Sequence, residues 1–258
     1  MKELIPNIHE AKKTTDHYFS AYSRAYIVTN EDLRLSMKYM PENCNMALTV
    51  AASGDHPLFC SLYGAKHVDT FDISYNAKCL MDIKTAAMKR LNYLEYLDLL
   101  EALYNNEDII HVHNIDKISN ELSIIERCYM RSMRGFALFG RGGWDGKGNS
   151  CLPKRQEYQK LRELVKQPYE FYWTDLANVS ACLVEKYDFI HLSNIFDYID
   201  DGKIQFTILQ RLLEHVNVGG RILIQRLRYG RPTRRLPVNH SFVKKIRKDD
   251  ITIFERIR

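Results

Sequence analysis

The stretch that decides the fold is MALTVAASGDHPLFCSLYGAKHVDTFD, residues 46–72. Its apolar run at 46–52 predicts a strand, and the polar residues that follow at 53–57 predict a tight turn. A short helix-like segment then ends at Gly64, and a second apolar run at 67–73 predicts another strand. The order strand, turn, helix, strand is typical of one unit of a parallel sheet flanked by helices.

Two residues of this stretch predict a nucleotide-type ligand. Gly54 lets the backbone approach a ligand closely, and the start of the following helix can hold an anionic group such as a carboxylate. Asp72 lies 18 residues after Gly54, about where an acidic side chain accepts hydrogen bonds from ribose hydroxyls. In the alternative interpretation Gly54 only makes a turn and Asp72 caps a helix. Both remain open, because the turn has one glycine and is not GxGxxG.

The composition is that of a soluble globular protein. The chain has 258 residues, of which 45% are hydrophobic and 27% charged, enough for one large α/β domain. No apolar run approaches the roughly 20 residues that span a bilayer. The N-terminus lacks the apolar core of a signal peptide, so we expect a cytoplasmic protein. Six cysteines lie singly with no CxxC pair, and from their spacing we expect no metal site.

The N-terminal 40 residues predict a helical extension ahead of a main domain at 41–258. Tyr18, Tyr22 and Tyr26 are spaced four apart and would share one helix face. That face either packs against the main domain or forms a lid over the ligand crevice, with tyrosine hydroxyls as polar contacts.

An acidic pair follows the predicted extension. Glu31 and Asp32 come directly after Thr29 and Asn30, which can cap the next helix, and acids in a first helical turn suit the helix dipole. A structural role is therefore expected for the pair, although either carboxylate could instead accept a hydrogen bond from a ligand ammonium.

The middle of the chain departs from a strand–helix alternation. After predicted helices at 76–91 and 93–104, residues 105–165 predict a helical insertion. Its segment 135–148 holds six glycines in fourteen residues, which predicts a mobile or tightly turned loop. The loop carries Arg141 and Lys147, which could hold an anion among free backbone amides; we favour the mobile loop.

The alternation then resumes and completes the fold class. We predict a doubly wound, mostly parallel α/β sheet of Rossmann-like type, with N-terminal helices, the helical insertion and a closing antiparallel hairpin. The further strands are expected at 169–173, 187–192, 221–227, 241–246 and 251–257.

Polar residues follow two of these later strands, where doubly wound folds bind ligands. Thr174 and Asp175 could face an adenine edge. Ser193, Asn194 and Asp197 could face a reacting centre. His191 lies inside its strand, so we expect it to be a hydrogen-bonded core histidine rather than a base.

The C-terminal part is basic. Residues 221–258 contain 12 Lys and Arg against 3 Asp and Glu, in a chain of net charge +5. Such an excess favours an anionic partner, or it is a solvated surface. Guanidinium groups suit phosphate contacts, and a nucleotide, an RNA backbone and an anionic membrane surface all remain open. RNA is not favoured, because no recognisable RNA-binding motif is present. The arginines concerned are Arg226, Arg228, Arg231, Arg234 and Arg235.

Several segments resemble a known enzyme family. The turn, Asp72, Asp175 and the strand–GG–strand ending look like a class I S-adenosylmethionine-dependent transferase. More narrowly, the sequence resembles the S-adenosylmethionine:diacylglycerol 3-amino-3-carboxypropyltransferase family of bacterial betaine-lipid synthesis. The matching segments are Tyr22-Ser23 followed by Glu31-Asp32, LTVAASGDHPL at 48–58, VDTFDISYNAKCLMDIKTAAMKRLNYLEYLDLL at 68–100, YDFIHLSNIFDYI at 187–199 and GGRILIQRL at 219–227.

The resemblance implies S-adenosyl-L-methionine as co-substrate, transfer of its 3-amino-3-carboxypropyl group, and methylthioadenosine as product. It implies cofactor contacts by Ala52, Ser53, Gly54, Asp55, Asp72, Ile73, Asp175, Ser193 and Asn194. The candidate bases are Asp197, Tyr22 and Tyr26. The arginines Arg226, Arg228, Arg231 and Arg234 would bind the acceptor. The acceptor itself is a hydroxyl or phosphate of a small molecule, a peptide-nucleotide or a lipid; this chain is much shorter than the lipid enzyme and lacks a long apolar acceptor segment.

Two other functions are compatible with the same residues. One is an S-adenosylmethionine-dependent methyltransferase acting on a small molecule or RNA, since one fold hosts many chemistries. The other is a nucleotide- or nucleic-acid-binding module without catalytic activity.

Overall fold

A computed structural model describes residues 25–105, 115–132, 137–138, 151–166, 168–199, 201–225, 243–248 and 250–258. The strands are β1 Ala25–Tyr26, β2 Met46–Val50, β3 His67–Asp72, β4 Ala137–Leu138, β5 Glu170–Trp173, β6 Tyr187–His191, β7 Val216–Gln225, β8 Val243–Lys248 and β9 Ile251–Arg256. The helices are α1 Leu33–Met37, α2 Asp55–Leu62, α3 Tyr75–Arg90, α4 Tyr93–Asn105, α5 Ile115–Ser119, α6 Ile124–Ser132, α7 Arg155–Leu164, α8 Val179–Cys182 and α9 Gly202–Glu214.

Seven strands form the main sheet in the order β5-β3-β2-β6-β7-β9-β8. The first five run parallel, and β9 and β8 close the edge as an antiparallel hairpin. The chain moves outward from β2 through β3 to β5, then returns to the other side of β2 with β6. This reversal makes β2 and β6 the topological switch point, where doubly wound folds bind ligands. The predicted fold class is confirmed.

Apolar residues cover both faces of the sheet. One face packs under α1, α2, α3, α4 and α7, with Phe59, Leu80 and Phe189 fully buried. The other packs under α8 and α9, with Leu209 and Ile222 fully buried. The strands at the centre are therefore apolar on both sides, as expected for a buried parallel sheet. No helix among the described residues is long and apolar enough to cross a membrane.

The described part of the N-terminal extension is not a continuous helix. Tyr26 lies in β1, which pairs in parallel with β4 of the insertion, so the prediction that it shares a helix face with Tyr18 and Tyr22 is wrong at Tyr26. The pairing with β4 holds Tyr26 in an extended backbone despite the helical spacing of the tyrosines. Tyr18 and Tyr22 lie outside the described residues.

Three element boundaries also differ from those predicted. α1 is capped by Asp32, whose side chain accepts hydrogen bonds from the amides of Arg34 and Leu35, rather than by Thr29 and Asn30. α2 begins at Asp55 and takes Pro57 into its first turn, where proline is tolerated. β7 begins at Val216, ahead of the two glycines, and a register shift in its pairing with β6 accommodates them.

The helical insertion is described in part. The described residues of the insertion predicted over 105–165 include α5 and α6, which are separated by a turn, and α7. Within the glycine-rich segment only Ala137 and Leu138 are described, as β4; Arg141 and Lys147 lie outside the described residues.

Candidate functional site

A cavity of about 180 Å³ opens at the carboxyl ends of β2, β3, β5 and β6. It lies at the switch point of the sheet, and most of its wall is apolar, with Val50, Phe71 and Leu176 among the lining side chains. The polar residues that line it are Tyr26, Thr29, Asn30, Glu31, Ser53, His56, Asp72, Ser74, Thr174, Asp175, Ser193, Asn194 and Tyr198. An apolar cavity with a few convergent polar groups is the usual form of a small-molecule site.

Backbone strain marks the two strand ends at the centre of the cavity. Ala52 follows β2 with φ of 45°, and Ser193 follows β6 with φ of 51°. Residues with a Cβ rarely adopt this left-handed conformation, and such strain clusters at ligand sites. Both residues line the cavity, so the strained turns fall where the fold is expected to bind a ligand.

Asp72 is held in place by backbone amides. Its Oδ2 accepts from the Ala52 amide at 2.9 Å, and its Oδ1 accepts from the Ser74 amide at 2.9 Å. Burial raises the pKa of Asp72 to about 6, against the two amide hydrogen bonds, which favour the ionised form. The carboxylate faces the cavity and retains acceptor capacity, because each oxygen has two lone pairs.

Behind the turn lies a polar group in which both carboxylate oxygens are hydrogen-bonded, here termed the anchor cluster: Thr29, Ser53, Asp55 and Lys84. Asp55 Oδ2 accepts from the Thr29 amide at 2.8 Å and from the Ser53 hydroxyl at 2.7 Å, and its Oδ1 accepts from Lys84 Nζ at 2.6 Å. The Asp55 and Lys84 side chains have no solvent exposure. Burial, partly offset by the Asp55 charge, lowers the pKa of Lys84. The cluster ties the segment before α1 and the middle of α3 to the turn after β2.

Beside it lies a second polar group, here termed the open cluster: Glu31, His56, His191 and Ser193. His56 Nε2 is 3.4 Å from Glu31 Oε2, and the Ser193 hydroxyl donates to Glu31 Oε1. The His56 and His191 rings are 5.3 Å apart. All four residues are at least 96% buried, and all but His191 line the cavity.

The open cluster is not saturated. His56 Nδ1 and both ring nitrogens of His191 have no hydrogen-bond partner among the described residues. Burial, with the nearby His56 ring, lowers the pKa of His191 to about 3, so its ring is neutral. Burial acts to raise the pKa of Glu31, but the hydrogen bonds with His56 and Ser193 and the two nearby histidine rings outweigh it and lower that pKa. His191 is thus in the core as predicted, but the expectation that it is hydrogen-bonded there is wrong for the described part of the chain.

Most of the predicted site residues that the structure describes meet at the cavity. Ala52, Ser53, Asp72, Ile73, Asp175, Ser193, Asn194 and Tyr26 all line it. Asp55 does not, because both of its oxygens are used in the anchor cluster. Asp197 is buried in the short 3₁₀ turn Ile195–Tyr198 and is not a lining residue.

Gly54 packs closely against α3. It adopts φ of 80° and is not a lining residue. A Cβ at this position would lie 2.8 Å from the Met81 Cα, so the absence of a side chain permits the close approach of α3. Contact of the Gly54 backbone with a ligand stays a prediction.

The Asp175 carboxylate already accepts hydrogen bonds from a neighbouring residue. Its Oδ1 accepts from the Asn178 amide at 2.9 Å and from the Asn178 side chain at 3.0 Å. It remains at the cavity wall beside Thr174. Tyr22 and the acceptor-binding candidates Arg226, Arg228, Arg231 and Arg234, with Arg235, lie outside the described residues.

Sequence reasoning misses the role of His56 and the partnership of the two histidines. His56 falls in the predicted turn, where the sequence suggests no function for it. His191 belongs to a strand that is far from His56 in the sequence. The signal that is present is the pair of polar residues, Asp55 and His56, at the start of an otherwise apolar helix.

No family model and no curated protein matches this chain. Solved structures match it at low identity. They include an rRNA methylase from Streptococcus thermophilus (9% identity, 89% of this chain and 94% of that chain, TM-score 0.40) and the rRNA methyltransferase AviRa from Streptomyces viridochromogenes (11%, 88% and 82%, 0.44). A third is the N-methyltransferase NodS from Bradyrhizobium japonicum WM9 in complex with S-adenosyl-L-homocysteine (10%, 87% and 83%, 0.42).

Proposed function

We propose that this chain is a transferase that binds S-adenosyl-L-methionine in the cavity at the carboxyl ends of β2, β3, β5 and β6. The observation that carries the proposal is that Asp72 and the strained turn after β2 face one cavity at the switch point of the sheet. An acidic residue at the end of the second strand is placed to accept hydrogen bonds from ribose hydroxyls. The co-substrate is the one that the family resemblance of these segments implies.

The remaining lining residues suit the other parts of this co-substrate. Thr174 and Asp175 lie beyond β5, next to β3, and are the candidates for the adenine. Ser193 and Asn194 lie beyond β6 and are the candidates for the sulfonium and the amino-acid arm. Apolar side chains between them exclude water, which strengthens the electrostatic interactions in the site.

Catalysis in such a site is mainly positioning. A sulfonium has three activated carbons, and the acceptor must approach one of them in line with the carbon–sulfur bond. Holding two reactants in that geometry can contribute about 7–11 kcal/mol. An acceptor hydroxyl or amine also needs a base within hydrogen-bond reach. Tyr26 lines the cavity and is the candidate that we favour over Asp197, which does not line it.

The transferred group has two candidates. Methyl transfer is the reaction named for the solved neighbours above. Transfer of the 3-amino-3-carboxypropyl group is the reaction that the family resemblance implies. The resembling segments 48–58 and 187–199 and the residues around Asp72 contribute to the cavity wall, which suits either reaction.

One experiment decides between them. Purified protein is incubated with S-adenosylmethionine and a cell extract, and the products are identified by mass spectrometry. S-adenosylhomocysteine with a methylated acceptor identifies a methyltransferase. Methylthioadenosine with an acceptor heavier by the aminocarboxypropyl group identifies the second reaction. If neither product forms and calorimetry detects no S-adenosylmethionine binding, the proposal is overturned.

The cofactor site itself is tested by Asp72→Ala. Hydrogen bonds to charged groups contribute about 1.5–3 kcal/mol, so we expect the variant to bind S-adenosylmethionine at least tenfold more weakly in isothermal titration calorimetry. Asp69→Asn is the matched control. Asp69 lies in the same strand, its Oδ2 accepts a hydrogen bond from the Tyr187 hydroxyl at 2.6 Å, and it does not line the cavity. Equal affinity of Asp72→Ala and the wild type would contradict the assignment.

A further inference from the structure

The open cluster holds buried ligand atoms that the proposed transfer reaction does not use. Glu31, His56 and His191 each offer one ligand atom, and these atoms all lie within 4.8 Å of one another. We infer that Glu31, His56 and His191 bind a divalent transition-metal ion at the wall of the cavity. The inference concerns ion binding and is independent of which group, if any, the chain transfers.

The donor set fits such an ion. Two imidazoles and one carboxylate are the protein ligands of many sites that hold Zn²⁺ or Fe²⁺ with open coordination positions. Zinc binds imidazole nitrogen and carboxylate oxygen at about 2.0–2.2 Å, which puts two tetrahedral ligands roughly 3.4 Å apart. Glu31 Oε2 and His56 Nε2 are 3.4 Å apart.

The unsatisfied nitrogens of His191 are the second and independent observation. A buried polar group without a hydrogen bond costs about 1–3 kcal/mol, so natural structures rarely retain one without a use. His191 has no solvent exposure, and neither of its ring nitrogens is hydrogen-bonded within the described residues. An ion that bound one of these nitrogens would satisfy it, and metals bind the neutral form of imidazole.

The surroundings orient the carboxylate ligand. The Ser193 hydroxyl donates to Glu31 Oε1 and leaves Oε2 directed at His56. Such outer hydrogen bonds are usual around metal ligands and fix their orientation.

The proposed ion would keep coordination positions that no protein ligand fills. Glu31, His56 and Ser193 line the cavity, whereas His191 lies behind them. An ion bound to three protein ligands would therefore have its remaining positions directed at the cavity contents. In that position an ion lowers the pKa of a bound water, hydroxyl or amine, which is the activation that an acceptor in the cavity would need.

The cysteine spacing alone predicts no metal site. The proposed ligands come instead from the segment before α1, the first turn of α2 and the end of β6, three parts of the chain that only the fold brings together. Their spacing in the sequence follows no metal-binding motif.

The test uses the full-length chain and Zn²⁺ and Co²⁺ as probes. Protein is treated with chelator, loaded with Zn²⁺, desalted, and its metal content measured by inductively coupled plasma mass spectrometry. We expect about one ion per chain, and visible absorption bands of coordinated Co²⁺ when that ion is substituted. Less than a tenth of an ion per chain would overturn the inference.

Single substitutions test which side chains bind the ion. Glu31→Gln, His56→Asn and His191→Phe should each lower Zn²⁺ affinity at least tenfold and shift or remove the Co²⁺ bands. His67→Ala is the control, since His67 is exposed at the start of β3 and should bind Zn²⁺ like the wild type. If the three ligand variants bind Zn²⁺ as the wild type does, the ion lies elsewhere and the inference is wrong. Should His191→Phe not fold, Glu31→Gln and the wild-type Co²⁺ spectrum still decide.

Failure of this inference can be told apart from failure of the proposed function. Asp72→Ala should lose S-adenosylmethionine binding and keep the ion. Glu31→Gln should lose the ion, and its S-adenosylmethionine affinity is measured on the same sample.

Discussion

The anchor cluster and the open cluster lie on two sides of one turn, yet they differ in hydrogen bonding. Asp55 belongs to the first and its neighbour His56 to the second. Both oxygens of Asp55 are used, by Thr29, Ser53 and Lys84, whereas both nitrogens of the His191 ring are unused within the described residues. Buried polar groups in proteins are nearly always paired. The comparison therefore indicates that the anchor cluster stabilises the fold and that the open cluster is suited to bind a ligand.

The largest effect should come from breaking the anchor cluster. Lys84→Met leaves the Asp55 charge buried without its cation, which costs about 3–5 kcal/mol. We expect a loss of that order in the free energy of unfolding, measured by urea denaturation. The double variant Asp55→Asn/Lys84→Met should lose less than Lys84→Met, because no uncompensated charge remains. Lys66→Met, at an exposed position, is the control; a loss below about 1 kcal/mol for Lys84→Met would remove the distinction between the clusters.

The second effect tests the helix contact behind the turn. Gly54→Ala adds a Cβ at φ of 80° and 2.8 Å from the Met81 Cα. Left-handed strain costs about 1–2 kcal/mol, and overpacking typically adds about 1–3 kcal/mol, so urea denaturation should show a loss of stability from both causes. Gly64→Ala is a matched control, since Gly64 also has positive φ but a Cβ there would meet no heavy atom within 4 Å. If the two variants lose equal stability, Gly54 is needed only for its backbone conformation.

The third effect concerns Asp72, which is hydrogen-bonded like the anchor cluster but faces the cavity like the open one. Burial raises the pKa of Asp72 to about 6, so the folded protein binds this proton more tightly than the unfolded chain does. The resulting contribution to the free energy of unfolding is fully present below about pH 4 and is lost as the pH rises through 6. Ribose hydroxyls donate to the ionised form, so S-adenosylmethionine affinity should fall as the pH drops below 6. The change approaches about tenfold per pH unit.

Calorimetry between pH 5 and 8 measures this dependence, and Asp72→Asn supplies the control because it has no carboxyl to titrate. A pH dependence that persists unchanged in Asp72→Asn would assign the titration to another group.

The smallest effect is expected in the open cluster. His191→Phe removes a buried ring that makes no hydrogen bond with the described residues and replaces it with an apolar ring. In metal-free protein the free energy of unfolding should therefore fall by less than about 1 kcal/mol or rise, because the cost of the unsatisfied nitrogens is removed. Urea denaturation in the presence of chelator measures it. A loss comparable to that of Lys84→Met would show that His191 has a structural partner and would break the comparison.

The sequence predicts the sheet and one side of the site well, and the reason is local. The strand–turn–helix–strand unit around Asp72 is contiguous, and parallel strands bring their carboxyl ends to one edge, so the order of the strands is enough to place Asp72, Ser53 and Ser193 together. Asp55 and Gly54 are predicted to meet the ligand because they lie in the same turn. Only the fold shows that Lys84 and Met81, on α3, lie against them.

The open cluster cannot be predicted in the same way. Glu31, His56 and His191 have no common spacing, and nothing in the sequence shows that a strand histidine lacks a hydrogen bond. Likewise, the aromatic spacing before residue 27 suggests a helix, whereas Tyr26 lies in a strand because its partner, β4, comes from the insertion. Long-range pairing of this kind overrides local periodicity.

The pairing of β1 with β4 has a consequence for the order in which the protein takes shape. β1 is made early in synthesis, but its partner strand is far downstream, in the insertion between α6 and α7. Closing so long a loop is entropically costly and slow compared with forming the neighbouring β2–α2–β3 unit. We therefore expect the part of the cavity wall that Ala25 and Tyr26 form to close after the β2–α2–β3 unit that carries Asp72.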